Sequence, residues 1–302
     1  MILTKRLRQN LIEKWLVIQT PISPSSRYRL RVWKENHNEF DAIKEDLIEY
    51  FESAFADAKE RLHKGFDISL SPFKDTILDP AANYPTMLHR NTLLGYFGET
   101  LSVIAVEHWG ALGLSDWQVP FMLFRMHEIE FQHLETINER IIAGINVDPD
   151  DVAEIRPGRT GDDAIVFRID DKNIITDVLT LEAKCLSANN NTKIKEAHEK
   201  LVNSVRRPTS IHELIEILHD YNSKEAKQWQ ESLLHLWSNG YINANRHDGV
   251  CYACAETPKK KTSWLDPDKP HPAYTLKRNL ECMEFHLQDL KITIDAIFKR
   301  EK

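Results

Sequence analysis

Gly161-Asp162-Asp163-Ala164-Ile165-Val166-Phe167 and, a short way on, Val178-Leu179-Thr180-Leu181-Glu182-Ala183-Lys184-Cys185 are the two stretches that decide how this chain reads. Each is a run of apolar and β-branched residues of strand length. An acidic pair opens the first run, and a Glu-x-Lys closes the second. Between them, Asp170-Asp171-Lys172-Asn173 is a turn by composition. The spacing predicts paired strands over 163–169 and 174–185. Strand side chains alternate between faces, so Glu182 and Lys184 point the same way, whereas Asp162 and Asp163 point apart.

Two carboxylates and a lysine at one sheet edge are the parts needed to hold a hard cation and hydrolyse a phosphodiester. Asp163 and Glu182 are the candidate metal ligands. Lys184 is the candidate group that orients the attacking water or steadies the oxyanion. The plain alternative is a surface hairpin closed by a salt bridge. A second Glu-x-Lys, Glu225-Ala226-Lys227, lies inside a predicted helix with no Gly-x-Asp ahead of it. A lysine at the end of so apolar a strand needs a reason to be there. Asp162 competes with Asp163 for the metal role, and the Gly-x-Asp spacing selects Asp163. Glu99 is the third candidate ligand. On a predicted helix over 91–109, the row Tyr96, Glu99, Val103, Val106 is apolar except for that glutamate, with Gly95 and Gly98 beside it. A buried lone carboxylate is costly, and a metal would pair it. The alternative is a helix-edge glutamate reaching solvent.

Around these segments the periodicity predicts a strand over 28–34, helices over 39–62 and 91–109, a long loop over 66–90 and, after Pro120, a helix over 121–143. Residues 146–161 read as loop. A helix over 193–205 follows the Glu-x-Lys strand. Ser210-x-x-Glu213 is a capping-box signature for a helix over 210–221, and a second helix starts at Asn222 or Ser223 and stops at Gly240. Strands over 250–256 and 280–287 and a last helix from residue 289 complete the chain. The organisation is a strand and helix region over 1–90, then a domain over 91–302 with a helical insertion at 209–240.

The motif set resembles the PD-(D/E)xK nuclease superfamily. Its core is a mixed sheet flanked by helices in the order α-β-β-β-α-β, often with a glutamate on the preceding helix. The resemblance implies an α/β, restriction-endonuclease-like fold with an added N-terminal helical region. It also implies Mg²⁺ or Mn²⁺ held by Glu99, Asp163 and Glu182, with Lys184 catalytic. The pattern Gly98-Glu99, Gly161-Asp162-Asp163, Glu182-Ala183-Lys184 is also similar to the HamA-like effectors of Hachiman anti-phage systems, over about residues 90–190. That likeness implies DNA cleavage beside a helicase or ATPase partner. The long stretch at 110–157 departs from it.

Composition sets bounds. The chain has 302 residues, 42% hydrophobic and 28% charged, ordinary values for a globular protein. It has no run of about 18 apolar residues for a membrane span, and Met1–Arg6 lacks the apolar stretch of a secretory signal. Four cysteines form no disulfide framework, so a cytoplasmic setting is expected. A net charge of −7 argues against tight autonomous binding to nucleic acid. A local basic groove from Lys184, Lys193, Lys195, Lys200, Arg206 and Arg207, or a partner that presents the strand, would have to compensate. Cys251-x-x-Cys254 is a single pair whose members face opposite sides of a strand, so buried small hydrophobes are expected rather than zinc. The helical pair resembles a winged helix, but Glu225 and Glu231 offset Lys224 and Lys227, so a packed insertion is the better reading. Lys259-Lys260-Lys261 reads as a solvated turn.

Overall fold

The computed structural model of the chain describes residues 6–19, 27–67, 79–124, 128–150, 162–204, 208 and 210–300. It is an α/β protein built on a six-stranded mixed sheet. The elements are α1 (Gln9–Trp15), β1 (Leu16–Ile18), β2 (Tyr28–Glu35), α2 (Phe40–Asp67), α3 (Arg90–Trp109), α4 (Glu128–Ile142), β3 (Ala164–Ile169), β4 (Ile175–Leu186), α5 (Asn191–Asn203), α6 (Ser210–His219), α7 (Lys224–Ser238), β5 (Asn245–Cys254), β6 (Asn279–His286) and α8 (Leu290–Ile297). The strand order is β1-β2-β6-β5-β4-β3. The four inner strands run parallel, and the two outer ones are antiparallel to their neighbours. Parallel strands are covered on both faces, which is why Val250–Cys254 and Leu280–Met283 are buried without alternation. β2 lies next to β6, so the region before residue 90 and the region after it share one sheet and one core.

Alternation sorts the sheet into two faces. Leu179, Leu181, Ala183 and Cys185 of β4 join Cys251 and Ala253 in a core with α2, α3 and α8. Val250, Tyr252 and Cys254 face the other way, against Ile194, Ala197 and Leu201 of α5. The α6–α7 pair covers the same side nearer the edge, against Ile165, Phe167 and Val178. It is therefore a packed insertion. No described helix is long and apolar enough to cross a membrane.

Several expectations need correction. The expected helix over 121–143 begins only at Glu128. Phe121 and Leu123 enter one core while Met122 and Phe124 enter another, a two-residue alternation that an extended chain satisfies and a helix cannot. Gln118 pairs with Phe167 and so adds a bridge at the β3 edge. α2 runs on to Asp67, into the expected loop, and α1 and β1 occupy a stretch that carries no clear periodic signal. α3 is capped by the His89 ring, which accepts from Asn91 N–H at 3.2 Å, and not by Asn91 itself.

α3 presses its glycine against β4. A Cβ added to Gly98 would lie 2.9 Å from Cys185 Cβ, closer than side chains tolerate. Alanine is about 1 kcal/mol the better helix former, while overpacking costs about 1–3 kcal/mol. Gly98→Ala is thus expected to lose up to about 2 kcal/mol net in urea unfolding. A gain in stability would show that α3 does not need this close approach.

Candidate functional site

The β3–β4 hairpin aligns the candidate carboxylates. Asp170 Oδ1 accepts from Lys172 N–H at 2.9 Å and Ile174 N–H at 2.8 Å, and Asn173 takes a left-handed φ of 61°. This is the turn chemistry that asparagine and aspartate favour. The hairpin register pairs Ala164 with Leu181. One step further out, Asp163 stands beside Glu182, on the face covered by α5. Asp163 Oδ2 accepts from Ala183 N–H at 2.8 Å, so the side chain continues the ladder where the strand stops.

Four side chains meet there. Lys184 Nζ lies 2.5 Å from Glu182 Oε1 and 4.0 Å from Asp163 Oδ2. Lys200, on α5, places its Nζ 2.7 Å from Asp163 Oδ1 and 2.7 Å from Glu182 Oε2. The structure therefore brings Asp163, Glu182 and Lys184 together and adds Lys200, which the motif reading did not assign to the site. Its signal is faint. Lys200 follows Ala197 by three residues and so flanks the inward stripe Ile194, Ala197, Leu201.

Burial dominates the electrostatics. The Glu182 side chain is 1% exposed. Burial, then the adjacent Asp163, raises its carboxyl to about 8, with the two ammoniums pulling the other way. Both Glu182 oxygens nonetheless face ammonium donors, an arrangement that favours the ionised form. Burial also raises Asp163, but Lys200 and then Lys184 outweigh it and hold that carboxyl below its ordinary value. Burial lowers both lysines, and the carboxylates more than reverse it, leaving both raised. The two pairs are matched charge for charge.

Asp162 does not join this cluster. It accepts from Ser210 Oγ at 2.7 Å and lies 3.5 Å from Ser204 Oγ. The hydroxyl expected to cap α6 is thus bonded to Asp162, which ties the insertion to the start of β3. Gly161, Arg206 and Arg207 lie outside the described residues. Glu99 is buried on α3, the helix on the opposite face of β4, beside the Gly98–Cys185 contact. Cys251 and Cys254 are buried on opposite faces and carry no disulfide.

Among the described residues, no three His, Cys, Asp or Glu side chains form a group that could hold a metal. The donor pair Asp163 and Glu182 does suit a hard cation. Its oxygens converge on one point, now filled by an ammonium at 2.7 Å from each. Mg²⁺ is commonly bound through one or two carboxylates with waters in its other positions. No protein-family model matches the chain, and no curated protein matches it.

Asp163 holds a backbone N–H and an ammonium, so its loss is more than the loss of a charge. Asp163→Ala is expected to destabilise the fold by about 2–4 kcal/mol, because Ala183 N–H loses its acceptor and two ammoniums are left to one carboxylate. Asp163→Asn keeps an acceptor for Ala183 N–H and should cost clearly less. Equal unfolding midpoints for the alanine and the wild-type proteins would contradict this account.

Proposed function

We propose that this chain is a metal-dependent nuclease of the PD-(D/E)xK type, with a restriction-endonuclease-like core, that hydrolyses DNA phosphodiesters. The observation that carries the reading is the convergence of Asp163, Glu182 and Lys184 from two strands on one buried, lysine-flanked point. Asp163 and Glu182 would hold Mg²⁺ or Mn²⁺, which when bound would supply charge neutralisation and a more acidic water. Lys184 stands on β4 beside both carboxylates, with its side chain 23% exposed. From there it orients the water for attack on phosphorus and meets the charge that develops on the phosphate oxygens as the bond to the leaving oxygen breaks. The family resemblance implies Glu99 as a further ligand, but α3 packs on the other face of β4, so the proposed site rests on Asp163 and Glu182.

The proposed setting is an anti-phage effector, similar to the HamA-like proteins, that works in the cytoplasm beside a helicase or ATPase. The charge distribution supports dependence on a partner. Lys193 and Lys195 pair with Glu196 and Glu199 on the same helix. Lys184 and Lys200 pair with the two site carboxylates. Four of the six basic residues expected to form the groove thus face anions of the chain itself, within a net charge of −7, and few counterions are available for release on binding nucleic acid. The same closed set of four charges favours one other reading, a non-catalytic subunit in which the cluster is structural.

Nuclease assays separate the two. Glu182→Ala and Lys184→Ala should each abolish cleavage of DNA while the proteins remain folded by circular dichroism, a loss of several kcal/mol of transition-state stabilisation. Asp162→Asn should leave most of the activity. Cleavage should require Mg²⁺ or Mn²⁺ and stop in EDTA. Full activity in the Glu182 or Lys184 variant would overturn the site assignment, and structured RNA as a parallel substrate decides the nucleic acid. The isolated chain should bind duplex DNA weakly in a gel shift at physiological salt. Submicromolar binding with brisk cleavage and no partner would overturn the partner-dependent reading.

A further inference from the structure

We infer that Lys200 is a positioning residue that stands in for the divalent cation. It holds Asp163 and Glu182 at ligand spacing in the metal-free protein and must leave for a metal to enter. The inference rests on the reading of these two carboxylates as metal ligands. It is carried by where Lys200 comes from and what it touches.

Lys184 and Lys200 are not equivalent. Lys184 sits two residues from Glu182 on the same strand and approaches one of its oxygens from the side. Lys200 comes from α5, across the face of the sheet, and its single Nζ lies 2.7 Å from both an Asp163 and a Glu182 oxygen. It takes one oxygen of each carboxylate, as a bridging cation would. Without it, two carboxylates would adjoin in a largely buried place, with Lys184 alone to balance them. With it, they are held together and neutral.

A bridging divalent ion would need the same two oxygens, at about 2.0–2.1 Å for magnesium. An ammonium at its present position would then be a few ångström from a doubly charged ion, and like charges at that separation repel strongly. Both cannot occupy the cleft. Lys200 has the means to withdraw. It stands near the end of α5 on a flexible four-carbon stem, and its side chain is 32% exposed. Metal affinity in this protein is therefore set by competition with an internal cation. Removing that cation strengthens binding of metal, whereas removing an ordinary supporting residue weakens it.

The test is calorimetric titration of Mn²⁺ into the metal-free full chain, with thermal melts in EDTA and in Mn²⁺. Lys200→Met keeps the stem and removes the charge. It should bind Mn²⁺ about 10-fold more tightly than wild type, melt lower in EDTA, and gain more from Mn²⁺ than wild type does. Lys200→Gln retains a neutral donor for the carboxylates and makes the same comparison should the methionine variant not fold. Asp163→Asn should lose Mn²⁺ binding in either background. If wild type binds Mn²⁺ and both Lys200 variants bind it equally or more weakly, the stand-in role of Lys200 is wrong and the metal site survives. If neither wild type nor variant binds Mn²⁺, the metal-ligand reading falls and the inference falls with it.

Discussion

β4 is covered on both faces, and the consequences spread through the structure. From Leu179 onward its odd-numbered side chains pack under α3, and its even-numbered ones face α5 and the α6–α7 pair. A strand in that position has nowhere to send a polar side chain except into the protein. Glu182 is one such side chain, almost without contact with water. An isolated buried carboxylate is untenable, so the fold must bring positive charge to it. Lys184 comes from the same strand and Lys200 from the helix above, and both also face Asp163 at the neighbouring strand end. The rest of the local architecture serves that meeting. The Asp170 turn sets the register, Gly98 lets α3 lie close, and Asp162 anchors α6 beside the same strand start.

Burial of a charge cluster admits two physical explanations. Ion pairs inside proteins add little net stability over apolar packing and sometimes cost it. Where they persist, a functional role is a reasonable inference but not a necessary one. Here the cluster is assembled from three elements, and it opens to solvent through its two lysines rather than being sealed. The lysines are partly exposed, at 23% and 32%, whereas the carboxylates beneath them are largely buried. Elsewhere in the fold, buried charges also pair, as Arg31 does with Glu281 at 2.6 Å and Arg278 with Asp248 at 2.8 Å, and some are tied to backbone as well. Glu284 accepts from Trp264 and Leu265 N–H, and the Arg31 guanidinium donates to the carbonyls of Trp109 and Gly110 at the end of α3. Those backbone bonds fasten loops and helix ends.

Much of the element order is legible in the amino-acid sequence. The strands about Asp163 and Glu182, the helix through Glu99, the helix after the Glu-x-Lys strand and the capped helical pair fall within a few residues of expectation. Each has a strong local signal, whether a two-residue or 3.6-residue period, a capping serine such as Ser223, or a turn of Asp and Asn. The stretch after Pro120 departs from expectation for a reason that belongs to the tertiary structure. Phe121 to Phe124 is a continuous apolar run, and only the presence of two separate cores, one on either side, makes it extended. α1 and β1 are silent in the sequence because they are short and depend on packing against α2 and pairing with β2.

The amino-acid sequence by itself determined the chemistry that this region can offer. It placed an aspartate ahead of one strand and a Glu-x-Lys at the end of the next, and strand geometry alone put Glu182 and Lys184 on one face. What only the tertiary structure decided was which partners those groups meet. The register chose Asp163 over Asp162 as the neighbour of Glu182, and the packing of α5 delivered Lys200 from a distance in sequence that no local period encodes. The reason is physical. Alternation and helical period act within a few residues of the chain, whereas neutralising a buried carboxylate depends on whichever charge the folded chain carries within a few ångström of it.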